Sequence, residues 1–115
     1  MMNNEQAISK TSYYCQSIYT TINLFNDLVE NRNYKLLNDL LIKIIEDTSQ
    51  CINYYSQIKY NIMIIDNINH KLELLMDGYK NSDYFYIKDI FSYELIPIIN
   101  EIFDELKKSI MNKNE

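Results

Sequence analysis

Hydrophobic residues recur at alternating three- and four-residue steps almost from one end of the chain to the other, the spacing that gathers them on one side of an α-helix. The first stripe is Ile8, Cys15, Ile18, Ile22, Phe25 and Val29, with Thr11 filling the gap and Ala7, Tyr14 and Leu28 widening it. It predicts an amphipathic helix from Glu5 to about Glu30, after a frayed Met1–Asn4. Ser, Thr and Asn are common in it, so intrinsic helix propensity is poor and packing must hold it. Asn31-Arg32-Asn33 is the first joint: Asn31 is expected to close one helix in the left-handed conformation and Asn33 to cap the next.

A second stripe runs through Leu37, Leu41, Ile44, Thr48, Cys51, Tyr55 and Ile58, doubled by Leu36, Leu40, Ile45 and Ile52. Neither Gly nor Pro interrupts the chain from Tyr34 to Asp77, and the phase continues through Ile62, Ile65, Asn69, Leu72 and Met76. Unbroken, that segment would be a rod of about 66 Å, which a first helix of about 39 Å could not cover. A break is therefore expected between Gln57 and Asn61, where Ser56, Gln57, Lys59 and Asn61 supply capping groups. The alternative is a three-helix chain whose long central helix dimerises to cover its apolar flank.

The third helix is expected from Ile62 to Gly78, with Ile62, Ile65, Ile68, Leu72, Leu75 and Met76 inward and Gly78 as a left-handed C-terminal cap. Asn81, Ser82 or Asp83 caps a fourth helix that runs to about Met111, with Ile87, Phe91, Leu95, Ile98, Ile102 and Leu106 inward. Lys107, Lys108 and Lys113 suit its negative pole. Pro97 has no N–H for the Tyr93 carbonyl, so a bend is expected between Tyr93 and Pro97. Short joints between rods of similar length imply antiparallel neighbours. The expected fold is all-α, an antiparallel up-down four-helix bundle forming one domain over residues 1–115.

Composition narrows the function. The 115 residues are 47% hydrophobic with one glycine and one proline, so the chain can fill a core and has little material for hairpins or long loops. A net charge of −5 with no basic block argues against nucleic acid as a partner. No apolar run approaches the roughly 20 residues of a membrane span, and Met1–Lys10 lacks a signal-peptide core, so a cytoplasmic protein is expected. Cys15 and Cys51 are too few for a disulfide framework. Both fall on core phases, and folding at Asn31–Asn33 brings them within about one helical turn in height. They read as two buried inert thiols, with a redox pair as the alternative. Ile, Asn, Lys and Tyr dominate as in an AT-rich genome, so the eleven tyrosines are discounted as a functional sign.

The candidate chemistry gathers at Tyr84, Asp89, Tyr93 and Glu94, with Tyr86 among them. Glu94 shares a phase with Ile87, Phe91 and Ile98, so it points partly inward and needs partners. Tyrosine hydroxyls of the first helix, or backbone groups freed by Pro97, would supply them. Glu94 then reads as a latch fixing helix register, with a functional carboxylate in a pocket as the other reading. Asp77, Asp83 and Asp89, six residues apart, fall on different faces, and Glu101, Asp104 and Glu105 form an acidic patch. The Glu-x-x-His pairs of a di-metal bundle are missing, and Asp66 with His70 offers only two ligands, so no metal or cofactor is expected. No Ser-His-Asp or Cys-His set, glycine loop or nucleotide fingerprint exists, so no catalytic residue is expected and the chain reads as non-enzymatic. Tyr54, Tyr55 and Tyr60, and Tyr79, Tyr84 and Tyr86, crowd the joints as interface residues or as caps on the bundle ends.

The segment Asp77-Gly-Tyr-Lys-Asn-Ser-Asp83-Tyr84, continuing through Ile87, Asp89-Ile90, Tyr93-Glu94-Leu95 and Pro97, resembles a motif of an uncharacterised family of small helical-bundle proteins from Firmicutes. Its pattern is D-Y, then D-I-x-x-Y-E-L-x-P, and it covers about a quarter of the chain; Phe91 and Ser92 depart from the more regular Leu and Glu or Gln. The resemblance implies a bacterial protein whose relatives neighbour motility and secretion genes, and it implies no activity or site residue. The expected function is a protein–protein interaction module, an adaptor or export-chaperone-like bundle whose partner is another protein or a second copy of itself. The alternative is a bundle that binds a small molecule or metal through Glu94 and nearby tyrosines.

Overall fold

The structure, a computed structural model, describes residues 4–113. Four helical rods make up the bundle: α1 (Asn4–Glu30), α2 (Leu37–Ile58), α3 (Ile62–Lys80), and a last rod in which α4 (Tyr84–Ile90) passes through a π-helical turn (Phe91–Leu95) into α5 (Ile96–Lys113). The break in the long apolar segment falls where capping groups predicted it. Lys59 leaves the helix in extended conformation, and the Asn61 side chain accepts from the Ile64 N–H at 3.3 Å. The molecule's longest dimension, 49 Å, leaves no room for one continuous rod over residues 34–77, and the alternative with a long central helix is set aside.

Pairs of side chains fix the topology. Tyr14 stacks on Tyr54, Cys15 meets Cys51, and Ser17 donates to Asp47 at 2.7 Å, so α1 and α2 are antiparallel. Phe25 meets Phe91 edge to face at 5.1 Å, and Glu30 pairs with Lys88, so the last rod is antiparallel to α1. Gly78 lies against Ile87 and Lys71 against Glu94, which sets α3 antiparallel to the last rod. Each rod thus has its sequence neighbours beside it, and the last returns to the first.

The core follows the predicted stripes on α1 and α2. Cys15, Ile18, Ile22, Phe25 and Val29 face Leu37, Leu41, Ile44, Cys51 and Tyr55, all essentially without solvent contact. Three threonines share this interior because each hydroxyl donates to a carbonyl one turn back: Thr11 to Ala7, Thr21 to Ser17 and Thr48 to Ile44, at 2.7–2.8 Å. The third helix keeps the predicted Ile68 and Leu75 in the core, but its packed side is shifted from the rest of the predicted set. Ile64, Ile68, Leu75 and Gly78 face inward, whereas Ile62 and Met76 are exposed.

Both long joints close by the same device, and in each the left-handed residue is one that sequence did not indicate. Arg32 and Ser82 have φ of 57° and 51°. Around Arg32, Arg32 N–H bonds the Val29 carbonyl and Asn33 N–H the Leu28 carbonyl; around Ser82, Ser82 N–H bonds Tyr79 and Asp83 N–H bonds Gly78. These are paired Schellman closures. Asn31 is therefore not the left-handed residue, and Asn33 does not cap α2, whose N-cap Leu36 makes no side-chain bond. Gly78 lies inside α3 with negative φ, so its role is not that of a cap. A Cβ there would stand 2.6 Å from Ile87 Cγ1, so glycine is required by the close approach of α3 and α4.

The Pro97 discontinuity is a π-turn. Ile96 N–H reaches back five residues to the Phe91 carbonyl. The inward residues Ile87, Phe91, Leu95 and Ile99 are each four apart, which in a regular helix drifts by about 120° over three steps. The extra residue held in the widened turn removes about 100° of that drift, so all four stay on the core side.

Two phenols, the buried Tyr55 and the partly buried Tyr19, couple this packing to alkaline pH. Tyr19, which donates to Asn100, is pushed up to about 12 by burial, then by nearby Cys15 and Asp104. Tyr55 is also pushed up, by burial first and then by the Glu105 carboxylate to which it donates at 2.6 Å. Raised folded-state pKa values mean the unfolded chain ionises first. Their stabilisation is therefore complete below about pH 10 and is lost as pH rises toward 12. Thermal midpoints should fall above about pH 10, and the fall should be shallower in Tyr19→Phe than in the wild type.

Candidate functional site

The seam between α3 and the last rod carries two open concavities. The upper one, about 430 Å³, is lined by Leu74 of α3 and by Tyr86, Asp89, Ile90, Tyr93 and Glu94. The lower one, about 580 Å³, is lined by Asn61, Met63, Ile64, Asp66 and Asn67 of α3 and by Glu101 of α5. Leu74 and Ile64–Asn67 are seven to ten residues apart, so the two lie about 13 Å apart along one groove.

The local sequence explains how the upper site forms. Tyr86, Asp89, Ile90 and Tyr93 follow three- and four-residue steps and share one side of the rod. Ile90 is almost fully buried and makes the floor, while Tyr93 is 78% exposed and makes a free-standing wall. Ile96 N–H is taken by Phe91, and Pro97 has none to give, so the carbonyls of Ser92 and Tyr93 lose their ordinary donors. On the far side of the turn Asn26 donates to Ser92 Oγ at 3.2 Å, while its buried Oδ1 has no partner among the described residues.

Of the four predicted cluster residues, the structure brings Asp89, Tyr93 and Glu94 together and sends Tyr84 elsewhere. Tyr84 stacks on Tyr34 with ring centroids 5.6 Å apart and donates to Asn38, as part of the joint. Five residues separate Tyr84 from Asp89, about 140° around a helix. Tyr86, which the sequence placed in the same polar run, does line the site, as its three-four spacing to Asp89 and Tyr93 implies. Lys71 was missed altogether. It occupies the core phase of α3 between Ile68 and Leu75 and extends its ammonium to 3.5 Å from Glu94 Oε2.

Glu94 is therefore not held by hydroxyls of the first helix. Its partner is Lys71, and its side chain is 41% exposed. The tyrosine–carboxylate latch is elsewhere, between Tyr55 on α2 and Glu105 on α5, with Lys59 at 3.7 Å from the same carboxylate. Glu105 thus leaves the acidic patch to join two rods. A half-exposed pair contributes little, so Glu94→Gln should change stability by under about 1 kcal/mol, where breaking a buried pair would remove 3–5. Urea denaturation of the two proteins separates these outcomes.

Cys15 and Cys51 meet in the core with their Sγ atoms 3.7 Å apart, both as free thiols. The Cys51 thiol is pushed up, first by its hydrogen bond to Cys15 and then by burial, which disfavours the reactive thiolate. Among the described residues no group of three or more His, Cys, Asp or Glu side chains converges as a metal site, and no helix is long and apolar enough to cross a membrane.

Residues 6–105 match the profile of a domain of unknown function, DUF8042. The chain belongs to that family. The match includes both concavities, the π-turn and all of the bundle except the first two residues of α1 and the last turns of α5, and it agrees with the resemblance to an uncharacterised family read from the sequence. No curated protein and no solved structure matches the chain.

Proposed function

We propose that this DUF8042 chain is a non-enzymatic interaction module that receives an amphipathic helix of a partner protein in the groove between α3 and the last rod. One observation carries the reading: two concavities about 13 Å apart on one seam, with Met63 79% exposed at one and Tyr93 78% exposed at the other. A helix of three to four turns spans that interval and seats one side chain in each. Large apolar side chains standing free at concave sites mark docking surfaces, and tyrosine and methionine are favoured there. The reading places the module in the cytoplasm.

Photo-cross-linking tests it. A cross-linking side chain at Tyr93 or Met63 should give a discrete protein adduct in native lysate, whereas one at Tyr13, exposed on α1 away from the groove, should not. An adduct of twice the chain's mass identifies the partner as a second copy. No adduct, or the same adducts from Tyr13, contradicts the proposal.

A further inference from the structure

We infer that the upper concavity is a socket for one arginine side chain of the partner, an inference that rests on the docking reading and names the chemistry of its anchor. The charged side chains that line the groove are carboxylates, and Lys71 stands behind one of them, Glu94. Asp89 and Glu94 line the upper concavity and Asp66 and Glu101 the lower, and neither Lys nor Arg is among the lining residues of either.

The balance of charge sets the ligand's valence. Glu94 is met by Lys71 at 3.5 Å, so that pair is close to neutral. Asp89 has no ion pair or hydrogen bond among the described residues. One unmatched negative charge remains, which calls for a monovalent cation and disfavours a divalent metal. The tyrosines then choose among monovalent cations. Tyr86 and Tyr93, both exposed, line the concavity together with Ile90 and Leu74. A planar guanidinium stacks on aromatic rings and forks onto a carboxylate, whereas an ammonium is a compact and strongly hydrated point charge. About 430 Å³ of open space accommodates the side chain together with part of the helix that carries it.

The test is an amide-resolved NMR titration of the whole chain with N-acetyl-arginine amide, N-acetyl-lysine amide and N-acetyl-glutamine amide. The arginine derivative should move the resonances of Tyr86, Asp89, Tyr93 and Glu94, more weakly at high salt. The lysine derivative should bind several-fold less well, and the glutamine derivative should leave them unmoved. Asp89→Asn removes a charge-assisted bond and should weaken arginine binding about tenfold. Tyr93→Ala, at an exposed position that leaves the core intact, should weaken it as well. Equal response to the glutamine derivative, no response at these amides, or unchanged affinity in Asp89→Asn overturns the inference. A partner cross-linked at Tyr93 that binds equally to Asp89→Asn would overturn the socket and keep the docking reading. Arginine-specific shifts without any groove adduct would keep the socket and overturn the docking reading.

Discussion

Phe91→Ala is expected to lower stability by about 3–5 kcal/mol, the largest loss of any substitution considered for this chain. Phe91 is fully buried, packs edge to face on Phe25 at 5.1 Å, and its carbonyl closes the π-turn through Ile96 N–H. Truncation empties a volume bounded by α1 and by the turn. The neighbours cannot collapse into it without unwinding the widened turn that keeps Leu95 and Ile99 in line. At about 4 °C per kcal/mol for a chain of this size, the thermal midpoint should drop by roughly 12–20 °C. Phe91→Leu, which keeps most of the volume, should lose under about 1.5 kcal/mol. A loss from Phe91→Ala as small as that from Phe91→Leu would show that the site is tolerant and that the turn does not depend on the ring.

The second large effect is at Gly78. In an ordinary helix interior, replacing glycine by a residue with a side chain helps by up to about 1 kcal/mol. Here a Cβ meets Ile87 Cγ1 at 2.6 Å and Tyr86 Cδ1 at 3.2 Å, and Ile87 is fully buried with a stiff, branched side chain. Gly78→Val should therefore destabilise by about 2–3 kcal/mol from overpacking. Ile87→Ala is costly alone but should partly relieve the valine, so the double variant should be less destabilised than the sum of the two singles. Additive losses would mean that α3 and α4 are not in the close contact described.

What was legible depended on whether the main apolar stripe of each helix is the side that packs. On α1 and α2 it is: the stripe residues from Cys15 to Val29 and from Leu37 to Tyr55 are buried, and Tyr14, Leu28, Leu40, Ile45 and Ile52, which widen the stripes, pack part-buried beside them. On α3 two stripes overlap. Ile62, Ile65, Leu72 and Met76 continue the phase of α2, while Ile64, Ile68, Leu75 and Gly78 form the side that packs. The packed side contains a lysine and a glycine, which disguised it: Lys71 extends its stem along the interior toward Glu94, and Gly78 is there for closeness. The same glycine, near the end of the helix, looked like a cap because chain-end position is the commoner reason for it. The left-handed duty went to Arg32 and Ser82, whose residue types carry no such signal.

The candidate site was legible in the same partial way. Asp89, Tyr93 and Glu94 meet because their spacing on the rod brings them together, and Tyr84 leaves because its angle differs. The concavities themselves depend on the distance between α3 and the last rod, which no pattern within one helix records. The π-turn was legible only as a discontinuity at Pro97. Four-residue steps at Ile87, Phe91, Leu95 and Ile99 held the information that the turn is widened.

The groove's role as a helix-docking surface is most directly tested by mapping, by mass spectrometry, where cross-links from Met63 and from Tyr93 land. The account predicts that both reach the same partner protein, on one face of a single helical segment and about seven to eight residues apart, the same-face spacing nearest the roughly 13 Å between the two concavities. Cross-links landing on different proteins, or scattered without such an interval, would contradict it.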